Sequence, residues 1–141
     1  MANYYGFTRT NYFAVKDEEK FRQVVASCQA SKENPEVWEE AVDGQTLFAF
    51  GCYGSLSGLP CGDEEDYECD LGAFHNALQQ VVADGHAIII TEVGYEKLRY
   101  LVGDCTVITS QEITYTNLSD IGLAKARQLL KNPQYNPVME Y

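Results

Sequence analysis

Three β-forming runs follow one another in the second half of the chain: "HAIIITEV" (86–93), "KLRYLVGDCTVIT" (97–109) and "EITYTNL" (112–118). Each is rich in β-branched and aromatic residues, which pack well on a pleated surface. Only "GYE" and "SQ" separate them. A parallel pair needs a crossover of about a dozen residues or more, so these runs must pair as an antiparallel meander. The turn between the first two is expected at "GYE", and Gly103–Asp104 is expected to form a bulge that re-aims the second strand.

The rest of the chain has to be compatible with that sheet. "NYYGFTRTNYFAV" (3–15) alternates as a strand or two short strands, with Tyr5, Phe7, Arg9, Asn11, Phe13 and Val15 on one face. Asp17 is placed to cap a helix from 18 to about 30, where Phe21, Val24, Val25 and Cys28 fall at i, i+3, i+4 and i+7. "VWEEAV" and "TLFAFGCYG" flank "DGQ", a hairpin signal. "GSLSGLPCGDEEDYECD" (54–70) carries four glycine or proline breakers and reads as a long surface loop. Asp70 can cap a second helix over 71–83, and Ser119 or Asp120 a third that ends before Pro133. The predicted order is β-α-β-β-α-β-β-β-α. That is an α+β fold, a mostly antiparallel sheet with helices packed on one face, forming a single domain over 1–132 with a loosely ordered tail over 133–141.

Charge is distributed unevenly along this pattern. The net charge is −11 over 141 residues. Residues 1–32 and 97–141 are slightly basic, whereas between Lys32 and Lys97 there are fourteen acids and no Lys or Arg. Such a stretch predicts a negative face that repels nucleic acid and anionic membranes and attracts basic protein surfaces. Its densest part is "CGDEEDYECD" (61–70), with six carboxylates and two cysteines in ten positions. That loop could hold a cation, close a disulfide between Cys61 and Cys69, keep the chain soluble or contact a partner. The EF-hand pattern fails for want of its glycine, and the five cysteines form no C-x-x-C pair, so free thiols in a reducing compartment are expected.

Motifs of nucleotide and acyl chemistry are missing. "GCYGSLSG" has glycines but no lysine, and no G-x-S-x-G occurs. His75 and His86 stand apart in sequence and read as plain surface residues, although pairing of Cys69 with His75 stays open. No basic and apolar leader and no run of about 20 apolar residues occurs, so a cytoplasmic protein is expected. No catalytic residue and no cofactor is predicted. The candidate contact residues are Asp63, Glu64, Glu65, Asp66, Glu68 and Asp70 of the acidic loop, with Glu36, Glu39 and Glu40 of "NPEVWEE".

"YYGFTRTNYFAVKDEEKF" (4–21) and "IITEVGYEKLRYLVG" (89–103) resemble segments of small acidic proteins carried by phages and mobile elements of gut bacteria. Some small acidic proteins of mobile elements are anti-restriction and anti-CRISPR proteins. The resemblance implies an inhibitor of a nucleic-acid-processing defence enzyme, acting through a basic channel that normally holds DNA, by DNA mimicry. It carries no catalytic motif and transfers no site residue. A small intracellular interaction or regulatory domain, acidic for solubility, is the alternative; a metal-dependent or enzymatic role would need a pocket at His75 or Cys69.

Overall fold

The structure is a computed structural model that describes residues 4–62 and 68–138. The shortest connection shows how local sequence sets the frame. β3 (Glu36–Val42) and β4 (Gln45–Tyr53) meet through Asp43–Gly44, both at positive φ (52° and 80°). That twist matches the strands on either side, and Asp-Gly supplies it with little strain. β1 (Tyr5–Thr10) pairs with β4 on one side and with β7 (Ile88–Glu96) on the other. β8 (Tyr100–Ile108) and β9 (Ile113–Asn117) complete the meander. The result is a six-stranded antiparallel sheet in the order β3-β4-β1-β7-β8-β9. The α+β class is as the sequence predicts.

Several local expectations are revised. The β7–β8 turn lies at Lys97–Arg99, because the ladder continues through Gly94, Tyr95 and Glu96, and Lys97 takes the left-handed conformation (φ 50°). No bulge occurs at Gly103–Asp104, where the register runs unbroken. Gly103 has another use: the side chain of Leu118 lies where a Cβ would be. The stretch 54–70 contains β5 (Leu56–Cys61) and β6 (Glu68–Asp70), which pair with each other, and β5 also meets β2 (Gln29–Ala30). Its glycine and proline content hid strands that depend on distant partners.

α1 (Glu18–Ser27) and α2 (Leu71–Val81) start as expected, with Asp17 and Asp70 accepting from the backbone N–H of Lys20 and Ala73. α3 (Leu118–Leu130) is capped by Asn117, two or three residues earlier than expected, with Asp120 bonded to the Asn117 amide. Near its end Arg127 Nε donates to the Tyr135 carbonyl at 2.9 Å.

Five of the six phenylalanines, Phe13, Phe21, Phe48, Phe50 and Phe74, form the core between the sheet and α1/α2, with Leu78, Ile88, Ile90 and Ile108. The sixth, Phe7, stands on the opposite face and is 54% exposed. The parity changes at Asn11. Thr8 and Thr10 point inward, then Phe13 does, three positions later. Asn11 makes the shift possible by acting as a stretch of backbone: its amide donates to Ala87 O (3.0 Å) and accepts from Ile89 N–H (2.7 Å). Tyr5, Phe7 and Arg9 therefore lie on one face, and Phe13 and Val15 do not share it. His86 is structural as well, with Nδ1 accepting from Ala14 N–H at 3.2 Å.

Cys28 closes α1 at the floor of the core, fully buried, and burial pushes its thiol up to about 12. In the unfolded chain the same thiol ionises near its ordinary 9.0. Its stabilising contribution is thus complete below about pH 9 and is lost as pH rises from there through about 12. Urea unfolding at about pH 8 and about pH 10 should show a loss of about 1 kcal/mol that Cys28→Ala removes from the pH difference.

Candidate interaction surface

The same alternation that buries Thr8, Phe48, Phe50, Ile88 and Ile90 sends every second residue to a face that α1 and α2 do not cover. Register then assembles them. Phe7 lies between Tyr53 on β4 and Val93 on β7, and Tyr5 lies opposite Tyr95 with ring centroids 5.8 Å apart. Tyr95 in turn faces Leu101 on β8. Phe7, Tyr53, Tyr95 and Leu101 are all at least half exposed. Leu118 extends the patch over Gly103, and these side chains border one shallow, largely apolar depression of about 630 Å³. Contiguous apolar surface of this kind marks a contact site more often than it marks chance.

The patch runs toward the sheet's edge strand, β3. Trp38 lies flat because Gly51 has no side chain: a Cβ there would stand 2.9 Å from the indole Cη2. The Arg9 guanidinium stacks over this ring, 5.5 Å from its centroid. Phe7, Arg9, Glu36, Trp38 and Tyr53 line a second depression of about 350 Å³. Aromatic faces beside carboxylates make a platform for cationic side chains, and Arg9 is already seated on it.

The predicted acidic residues separate into groups. Glu36 and Glu40 lie on the open face, opposite Gly51 and Leu47. Glu39 points the other way and pairs with Arg22 at 3.5 Å. Glu68 is exposed on β6 opposite Cys61, while Asp70 is occupied in capping α2. Asp63, Glu64, Glu65 and Asp66 lie outside the described residues. Two other acids of the middle segment are engaged too: Asp84 pairs with Lys16 at 3.8 Å, and Glu92 accepts from Tyr4 and Ser55. The acids therefore do not all stand free on a single face. Carboxylates on β3 also have a simple structural use, since charge on an edge strand blocks sheet-to-sheet pairing.

What sequence reasoning missed is the aromatic part of the surface. Alternation puts Tyr5, Phe7 and Arg9 on a common face, but their pairing with Tyr53, Tyr95 and Trp38 depends on strand order, which alternation does not encode. Comparison of the chain with protein-family models, with curated proteins and with solved structures finds no match.

Proposed function

We propose that this protein is an inhibitor that binds a basic surface of a nucleic-acid-processing bacterial defence enzyme, using the open sheet face and its acidic edge strand. The observation that carries this reading is the continuity of the aromatic row Tyr53–Phe7 with Trp38, Glu36 and Glu40, a surface suited to arginine-rich protein. Apolar contact supplies affinity at the centre, and the carboxylates steer a basic partner. The charge imbalance of the sequence supports the same partner. Because Glu39, Asp84 and Asp70 are paired or used in capping, the mode proposed is docking of aromatic and acidic groups together, with the loop 61–70 adding charge, in place of a phosphate-like acidic ridge.

The second reading is a regulatory interaction domain with a different basic partner. The pairing of Glu39 and Asp84 with flanking bases favours it over mimicry of DNA, and it uses the same surface.

The test is cleavage by a panel of purified restriction and RNA-guided nucleases with the protein added at low and at physiological salt. Inhibition that weakens with salt is expected from at least one. Glu36→Lys with Glu40→Lys should then weaken binding about tenfold or more, mainly through a slower association rate. Fold stability should move by no more than about 0.5 kcal/mol, since both sites are exposed. Binding to no member of the panel removes the inhibitor reading. Binding that ignores the charge reversal removes this surface.

A further inference from the structure

On the opposite face of the sheet, beyond the helices, the β7–β8 hairpin stands beside the 31–32 and 54–55 segments. An open pocket of about 680 Å³ lies between them, lined by Tyr4, Tyr5, Lys32, Ser55, Glu92 and Tyr100 among others. One wall, the Tyr4 ring, rests on two glycines. Gly6 and Gly94 are register partners on β1 and β7, and a methyl group on either would collide with the ring of Tyr4. The ring is thereby laid across both strands, and its hydroxyl donates to Glu92 Oε2 at 2.7 Å. Ser55 Oγ donates to the same oxygen at 2.9 Å. Ser55 is itself held by Ser31, through Ser31 N–H to Ser55 O and Ser55 N–H to Ser31 Oγ.

Glu92 is thus fixed by two donors on one oxygen, while Oε1 accepts no hydrogen bond from a described residue. Directly across the ladder from Glu92 is Asp104. Like charges opposite each other in a sheet repel, and here neither has an ion-pair partner among the described residues. Burial, and after it the nearby Asp104 carboxylate, raises the Tyr115 phenol above its ordinary range. The nearest base lining the pocket, Lys32, places Nζ over the Tyr5 ring, 5.0 Å from its centroid. Burial, then the bond to Glu92, raises the Tyr4 phenol above its ordinary range, so it remains a donor.

We infer that this pocket binds a small organic cation, an ammonium or guanidinium group, held between the Glu92 carboxylate and the rings of Tyr4 and Tyr100. Aromatic faces and a carboxylate attract the same charge, and the repulsion between Glu92 and Asp104 is relieved when a cation enters. The inference goes beyond the inhibitor reading and stands apart from it, because the pocket uses neither Trp38 nor Glu36 and Glu40.

Such a group can come from a free amine or from an arginine or lysine side chain. Calorimetric titration with agmatine, with a short arginine-containing peptide and with a neutral alcohol of similar size separates these. Agmatine and the peptide are expected to bind and the alcohol to bind at least about tenfold more weakly. Binding of the peptide alone assigns the site to a protein side chain, and of agmatine alone to a free amine. Glu92→Gln retains an acceptor for Tyr4 and should reduce affinity for the cations about tenfold or more. Asp104→Asn removes the charge opposite Glu92 and should cost less, which gives a second variant if the first fails to fold. Equal binding of cation and alcohol, absence of binding by both cations, or unchanged affinity in both variants overturns the inference.

Discussion

Phe50→Ala should destabilise the protein by about 3–5 kcal/mol, enough to leave a domain of this size partly unfolded. Phe50 lies on β4 and is fully buried. Its ring meets Phe13 and Phe74 edge-on at centroid distances of 6.3 and 5.8 Å, and Phe21 at 6.3 Å. These partners come from the segment after β1, from α2 and from α1, so one side chain joins three elements to the sheet. Truncation leaves a cavity whose walls are themselves rings, which relax poorly, so the penalty adds the lost transfer energy to the void. Phe7→Ala is the contrast within the same sheet. Phe7 is exposed, and its loss should shift stability by about 1 kcal/mol or less while weakening the proposed partner contact. Urea denaturation of both variants, with the contact read separately by binding, checks the assignment of inner and outer faces. A small loss for Phe50→Ala would contradict the core described here.

The second large effect is at Gly58. Its φ is +116°, and an added Cβ would run into the Asp70 carbonyl and stand 2.5 Å from the Leu71 nitrogen. Those atoms belong to the junction of β6 and α2, which cannot move without releasing the Asp70 cap. Gly58 is also the residue at which β5 meets Gln29 of β2. Gly58→Ala is therefore expected to cost about 2–4 kcal/mol, combining backbone strain with the collision. Gly85→Ala separates the two terms. Gly85 also has positive φ (81°), but nothing lies within 4 Å of a Cβ there. Its substitution should cost about 1 kcal/mol, the conformational part alone. Thermal unfolding of both variants gives the comparison, and equal losses would mean that the close approach at Asp70 contributes nothing.

These sites show where sequence reading succeeds and where it stops. The meander, the Asp43–Gly44 hairpin, the caps at Asp17 and Asp70 and the apolar stripes of α1 and α2 were legible, because each depends on residues within a few positions of one another. β5 and β6 were not, because a strand that contains Gly58 and Pro60 is stabilised by pairing with Gln29–Ala30 and Glu68–Asp70 and not by its own propensity. Gly103 reads as a bulge in the sequence because glycine in a strand signals either a bulge or a close neighbour, and only the position of Leu118 distinguishes them. The acidic set was legible as charge, but charge has no direction in a sequence. Alternation along β3 put Glu36 and Glu40 on one face and Glu39 on the other, where Arg22 of α1 waits.

By itself, then, the sequence determined the class of fold, its antiparallel meander, the three helices and the negative balance of its middle. Short-range sterics, capping and periodicity act between neighbours, and neighbours are written in order along the chain. Strand order decided everything that joins distant segments. It placed Phe7 between Tyr53 and Val93 and laid Tyr4 across Gly6 and Gly94. The contacts of Phe7 with Tyr53 and Val93, and of Tyr4 with Gly94, join residues far apart in the chain, and the free energy that brings them together comes from burying one shared core, which no local pattern specifies.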